Sequence, residues 1–390
     1  MPGQRGAVPR RLPPFFLGAG AWAVTVLGVR LAELGGLDVA LAAFDGLSRW
    51  HAHELLFGYG GAVVAGFALT AIPNWTGRLP VAGRALAALW TLWLLGRLGS
   101  LLPSLPGYSL LILDAPFLFA LALLAGWEIL AGRNYRNLGV LALIALLAGA
   151  NVCFHLEALR LIAAEQTGQR MALAALILLI GLIGGRITPS FTNNWFARTG
   201  QPRAATSPPL IEHLAHGLTA AAFAAWIALP EAWVSGGALL AAALAQFARL
   251  AGWPGWRTLA EPLVLALHAG YAWIPVGLVL LGVAILWDAS LVSGGVHALT
   301  TGAIGLMTLA VMTRATLGHT GRSLHASPGT TALYAAVATS ALTRVGAALL
   351  PAMATGLLPL AGGLWIVAYA LFLAIFGPVL LRPRLGNRSD

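Results

Sequence analysis

LGVLALIALLAGANVCFHLEALR, residues 138–160, is the stretch whose reading decides the fold. Its first thirteen residues carry no charged or polar side chain, Arg133 and Arg136 precede it, and Arg160 closes it. An α-helix rises about 1.5 Å per residue, so about 20 apolar residues cross the hydrocarbon of a bilayer. Stretches of the same character fall at 15–34, 50–72, 84–102, 108–131, 170–188, 209–229, 233–251, 262–286, 296–315, 330–351 and 356–381. Pro, Gly and charge mark the breaks, as in Pro73-Asn74-Trp75, Pro103 to Gly107 and Gln201 to Pro209. The expected fold is an all-α polytopic membrane bundle of twelve helices.

Composition points the same way. Of 390 residues, 59% are apolar and 9% charged, with a mean hydropathy of +0.82. Soluble domains carry about 25% charged residues. Twelve crossings use nearly the whole length, so the chain reads as one domain over residues 1–390, with lipid as its main partner. Met1 to Arg11 is basic and leads into an apolar stretch without a small-residue cleavage site, which reads as an uncleaved first span.

The net charge of +10 comes from 23 arginines and no lysine, and it is spread through the loops rather than gathered into a patch. That distribution speaks against nucleic acid as a partner. With both termini placed in the cytoplasm, 17 of the 23 arginines fall on the inner side, among them Arg5, Arg10, Arg11, Arg384 and Arg388, as the positive-inside rule requires. Arg97 falls at an outer helix end. Trp50, Trp75, Trp195, Trp233 and Trp287 fall near helix ends and suit an interfacial belt. Cys153 is the only cysteine, which excludes a disulfide and a thiolate cluster. Any metal must use His, Met or oxygen donors.

The second, sixth and tenth segments end in related text: Pro73-Asn74-Trp75-Thr76-Gly77-Arg78, Asn193-Asn194-Trp195 and His319-Thr320-Gly321-Arg322. A repeat every four helices predicts three four-helix units around a pseudo-threefold axis.

Ionisable groups at membrane depth are costly and mark functional sites. Trp50-His51-Ala52-His53-Glu54 opens a spanning helix with two imidazoles and a carboxylate. Regular helical spacing puts His51 and Glu54 on one face and turns His53 away, so two different partners are implied. Metal or haem ligation is one reading; hydrogen bonding in headgroup water is the other. His297 opens the tenth segment at the same depth, followed by Thr300, Thr301 and Gly302, which would admit a flat macrocycle. A haem held by two histidines between the second and tenth helices follows as an expectation. His155, with Asn151 one turn back and Glu157 nearby, reads as a further outer ligand or as an interhelical polar contact.

On the inner level, His268 lies inside the ninth segment with Tyr271 on its face, suiting an axial ligand, a proton relay or a core pair. His213 and His216 share a face at the start of the seventh. His319 and His325 fall in a loop where Arg314, Arg322 and, from the sixth segment, Arg186 suit haem propionates. No GK[ST] P-loop, no strand–GxGxxG–helix unit and no HExxH occur, so nucleotide-driven transport and dinucleotide chemistry are excluded.

Taken together, these residues resemble the NnrS family, membrane proteins associated with the bacterial response to nitric oxide and containing haem and copper. The resemblance runs over essentially the whole chain. It is carried by Trp50 to Gly58, Ala71 to Arg78, Gly185-Arg186-Ile187-Thr188-Pro189-Ser190-Phe191-Thr192, Leu267 to Trp273, and His297 to Thr300 through Arg314 and His319 to Arg322. It implies that His51, His53, His268, His297 and His319 belong to the family pattern, with b-type haem, copper, a nitric oxide ligand and an electron donor, in a bacterial cytoplasmic membrane. His213, His216 and His325 have no place in it. The layout is also similar to that of haem–copper oxidases, which carry haem ligands near the outer ends of helices 2 and 10. Here the sixth segment has no His and the seventh no adjacent pair, so their copper site does not carry over.

Two activities follow as expectations. One is reduction of nitric oxide at a haem, with Glu54 moving protons. The other is non-enzymatic: a carrier, insertase or sensor for haem, copper or an iron–nitrosyl species.

Overall fold

Lipid offers no hydrogen bonds, so each apolar stretch closes its own as a helix. The computed structural model describes residues 14–39, 41 and 43–382; Arg5, Arg10, Arg11, Arg384 and Arg388 lie outside them. Among the described residues there are twelve long helices and no strand: α1 (Phe15–Leu34), α2 (Leu47–Thr76), α3 (Gly83–Ser100), α4 (Gly107–Ala131), α5 (Tyr135–Ala158), α6 (Thr167–Arg198), α7 (Pro209–Ala228), α8 (Trp233–Ala251), α9 (Pro262–Leu286), α10 (Ala289–His319), α11 (Pro328–Leu349) and α12 (Pro351–Leu381). All but α3 are long and apolar enough to cross a membrane, eleven in number. In α3 the arginines Arg84 and Arg97 dilute the apolar content.

The largest departure from the expected boundaries is α6, which continues past 188 to Arg198 with Pro189 inside it. Its added turns carry Ser190, Thr192, Asn193 and Asn194, a polar extension that hydropathy alone does not detect. Trp233 and Trp287 are exposed, as an interfacial belt requires. Trp50 is not: it is fully buried and its Nε1–H donates to the Ser100 carbonyl oxygen at 3.1 Å. It pins α2 to the end of α3.

Helices α2, α6 and α10 touch one another at the centre. Around them the contacts repeat every four helices. The pairs α1–α2, α5–α6 and α9–α10 correspond, as do α3–α4, α7–α8 and α11–α12, while α4–α5, α8–α9 and α12–α1 close the ring. The repeat expected from the three related helix ends is therefore present in the packing.

Two of the central helices share a local irregularity. In α2 an α-helical start ending at His53 passes into a π-helical segment, Glu54–Tyr59. In α10 the start ends at His297 and the π segment is Ala298–Gly305. Such insertions widen the helix, re-aim neighbouring side chains and concentrate at functional sites. Here each one directly follows a candidate ligand.

Candidate functional site

A cavity of about 930 Å³ opens at one end of the bundle. Its walls come from the last turns of α1, α5 and α11 and the first turns of α2, α6, α10 and α12. Odd helices end where even ones begin, as an alternating chain demands. Small-molecule sites measure about 300–1,000 Å³, so the volume suits a large flat ligand.

His51 and His297 both line this cavity. The Nδ1 of His51 is buried with no hydrogen-bond partner. The Nδ1–H of His297 donates to the Ser293 carbonyl oxygen at 2.8 Å, which leaves Nε2 as the nitrogen with a free lone pair. A backbone carbonyl on the remote ring nitrogen is the usual way a ligating imidazole is oriented. Arg30, Arg49 and Arg344 also line the cavity, with Thr300 and Thr301. Gly302 does not open onto it, because Trp273 of α9 packs on its Cα.

His53 lies elsewhere. It is fully buried, meeting side chains of α2, α4 and α5. Its Nδ1–H donates to Glu54 Oε1 at 2.9 Å, and its Nε2 faces Asn151 Oδ1 at 2.9 Å and Asp114 Oδ2 at 3.2 Å. The same Asp114 oxygen meets His155 Nε2 at 3.0 Å and accepts from Asn151 Nδ2 at 2.9 Å. Arg97 bridges the two carboxylates, donating through Nη1 to Glu54 and through Nη2 to Asp114. Trp22 Nε1–H completes the shell on Glu54 Oε2 at 2.8 Å. Every charged member is at least 95% buried, so each needs these partners.

Helical spacing placed Glu54 with His51. The carboxylate instead turns to His53, Trp22 and Arg97, because a buried charge goes to its counter-charge. Arg97 stays in the last turn of α3, the helix end where the positive-inside count put it, but its guanidinium turns inward. It is only 1% exposed and paired inside the bundle. Two glycines make the space. A Cβ on Gly58 would lie 2.8 Å from Trp22 Nε1 and 3.0 Å from Glu54 Oε2, and one on Gly96 would lie 3.1 Å from the Asp114 Cα.

Sequence reasoning passed over Asp114. The signal was available as a carboxylate inside the apolar run Leu110-Leu111-Ile112-Leu113-Asp114.

The inner-level candidates do not converge on one cavity. His268 Nε2 meets Thr192 Oγ1 at 2.8 Å, and a Cβ on Gly255 would lie 2.7 Å from its Nδ1, so the ring is packed on both edges. Tyr271 turns away to Gln246 at 2.8 Å and to Arg249 at 2.6 Å, and Arg249 pairs with Glu212. Arg186 donates to Asn137 Oδ1 at 3.1 Å, and the Arg314 guanidinium lies 3.8 Å from the centre of the Phe191 ring. His216 Nδ1–H donates to the Glu212 carbonyl oxygen at 2.7 Å, and His325 pairs with Glu261 at 3.0 Å. His213 and His319 are exposed, the latter at the end of α10.

A family model described as NnrS protein matches residues 13–384. No curated protein matches the chain.

Proposed function

Because this multi-pass membrane chain belongs to the NnrS family, we propose that it serves the nitric oxide response by holding a haem in the cavity between α2 and α10. His51 and His297 would hold the iron, and Arg30, Arg49 and Arg344 the propionates. One observation carries this reading: two histidines from the starts of two central helices line one cavity of about 930 Å³, each with a ring nitrogen not committed to a protein partner. When bound, the haem supplies an iron that takes nitric oxide. The chain's own part is to orient two imidazoles, to neutralise carboxylates with guanidinium groups, and to exclude water with Leu27, Leu31 and Leu55.

The handling is better read as binding, sensing or transfer than as turnover. Glu54, the proton donor that reduction would call on, lies outside the cavity lining, with both oxygens committed to His53, Arg97 and Trp22. A bacterial cytoplasmic membrane, with both termini inside, is the setting this reading takes. Copper would need donors beyond the two imidazoles of the cavity, and the wall carries the carboxylates of Asp45, Glu157 and Glu165 as oxygen donors.

The test is an optical spectrum of purified protein, reduced and then given nitric oxide without oxygen. A Soret band that shifts stoichiometrically is expected. Protein fully supplied with haem that shows no Soret band refutes the haem reading, and sustained consumption of nitric oxide with an electron donor refutes the binding-only version.

A further inference from the structure

The cluster around His53 has a hydrogen-bonding conflict at its centre. With Nδ1–H given to Glu54, the Nε2 of a neutral His53 is a lone pair, yet it faces two acceptors, Asn151 Oδ1 at 2.9 Å and Asp114 Oδ2 at 3.2 Å. Asn151 cannot relieve this by rotating its amide, because its Nδ2 already donates to Asp114 Oδ2. A positive charge belongs between these atoms: a second proton, which makes His53 an imidazolium donating from Nε2, or a cation in its place. The local charge says the same: two carboxylates, Glu54 and Asp114, stand against one guanidinium, Arg97.

His53, Asp114 and His155 each present one donor atom, and the three atoms lie within 4.8 Å of one another. Two of the separations are 3.2 and 3.0 Å. Donors at about 2.0–2.2 Å from a metal stand roughly 3 Å or slightly more apart along the edge of a coordination polyhedron. The outer shell is also in place. Glu54 orients His53 through its far nitrogen, Asn151 and Arg97 hold Asp114, and second-shell partners of this kind set ligand tautomer and position. Two imidazoles and one carboxylate with open positions form the donor set of non-haem ferrous iron.

Above the site, Phe44 stacks on His53 with ring centres 4.1 Å apart. It is held there by a left-handed backbone at two successive non-glycine residues, Phe44 (φ 64°) and Asp45 (φ 57°), followed by Gly46 (φ 126°). Strain of this kind persists where it serves a site. Phe154, which packs on both His53 and Phe44, also lines the large cavity, so one aromatic ring borders both sites.

We propose that His53 Nε2, His155 Nε2 and Asp114 Oδ2 form a second, independent site for one non-haem ferrous ion, covered by Phe44. The site needs no haem. Its open positions would take nitric oxide as a neutral ligand added to the ferrous ion, with no bond broken and no electron supplied from outside.

The experiment adds a ferrous salt and then nitric oxide, anaerobically, to the full-length chain in detergent, and reads electron paramagnetic resonance. A non-haem ferrous nitrosyl gives a spin-quartet signal, whereas a haem nitrosyl gives a doublet, so the two readings fail separately. One quartet per chain is expected in the wild type and in the His51→Ala/His297→Ala variant, with loss in Asp114→Asn and in His155→Gln. Helical circular dichroism and a monodisperse elution show that a variant is folded; if Asp114→Asn does not accumulate, His155→Gln decides. No quartet at saturating ferrous ion overturns the proposal. So does a quartet indifferent to both substitutions, or occupation by copper or zinc with iron excluded.

Discussion

His51 and His53 are two residues apart on α2 and serve different compartments. His51 lines the cavity with its Nδ1 unpaired, and His53 is sealed into a polar cluster with Glu54, Asp114 and Asn151. Two residues turn an α-helix by about 200°, so a short His-x-His motif can feed two sites from one strand of backbone. The π segment that begins at Glu54 lies directly beneath both.

This separation makes a prediction about spectra. His51→Ala and His297→Ala should each abolish a low-spin, doubly His-ligated haem spectrum. His268→Ala should leave it unchanged, because that ring is packed between Thr192 and Gly255 away from the cavity. Reduced-minus-oxidised spectra of the three variants check this, and an unchanged spectrum in both His51→Ala and His297→Ala would sink the ligand pair.

Arg97 carries the electrostatics of the buried cluster. Removing it leaves Glu54 and Asp114 as uncompensated buried charges, and breaking a pair of this kind costs about 3–5 kcal/mol. Arg97→Ala should therefore lower the unfolding midpoint in detergent far more than Arg78→Ala, whose 2.6 Å pairing with Glu128 is partly solvated. Adding Glu54→Gln to Arg97→Ala should recover part of the loss, since it removes one of the stranded charges. Thermal unfolding of the three proteins decides it; equal losses for Arg97→Ala and Arg78→Ala would contradict the account.

The helices were legible because lipid imposes one strong rule, and eleven of the twelve apolar runs separated by Pro, Gly and Arg satisfy it in full. The fourfold spacing of the related ends of α2, α6 and α10 was legible as well, and it reappears as the mutual contact of those helices. The cluster was less so. Arg97 and Asp114 lie on neighbouring helices, and nothing local says that they meet. What the sequence does show is that each charge interrupts an apolar run, which already demands a partner. The π segments were not legible, since their residues Glu54–Tyr59 and Ala298–Gly305 carry no signal that separates a π turn from an α turn.

Gly58 and Gly96 should tolerate no side chain. A methyl group at Gly58 would press on Trp22 Nε1 and Glu54 Oε2, and one at Gly96 on the Asp114 backbone. Overpacking typically costs about 1–3 kcal/mol, and here it would also displace hydrogen bonds to a buried carboxylate. Gly58→Ala and Gly96→Ala should each lower the unfolding midpoint. Gly149→Ala is the control, because its position opens onto space with nothing within 4 Å. Comparable midpoints for all three variants would mean that the cluster is looser than its geometry implies.

Arg344 tests how the cavity would retain an anionic ligand. Its guanidinium reaches Ser293 Oγ at 3.3 Å, a long contact that leaves most of its donors uncommitted, and it shares the cavity wall with Arg30 and Arg49. A hydrogen bond to a charged group contributes about 1.5–3 kcal/mol, and every 1.4 kcal/mol is tenfold in affinity. Arg344→Gln should therefore speed haem loss to a scavenging apoprotein by roughly ten- to a hundredfold, with an unchanged Soret position because His51 and His297 remain. Arg344→Lys should fall between, since lysine keeps the charge and loses the fork of donors. A loss rate equal to wild type in Arg344→Gln would remove the arginine from the propionate site while leaving the histidine pair untouched.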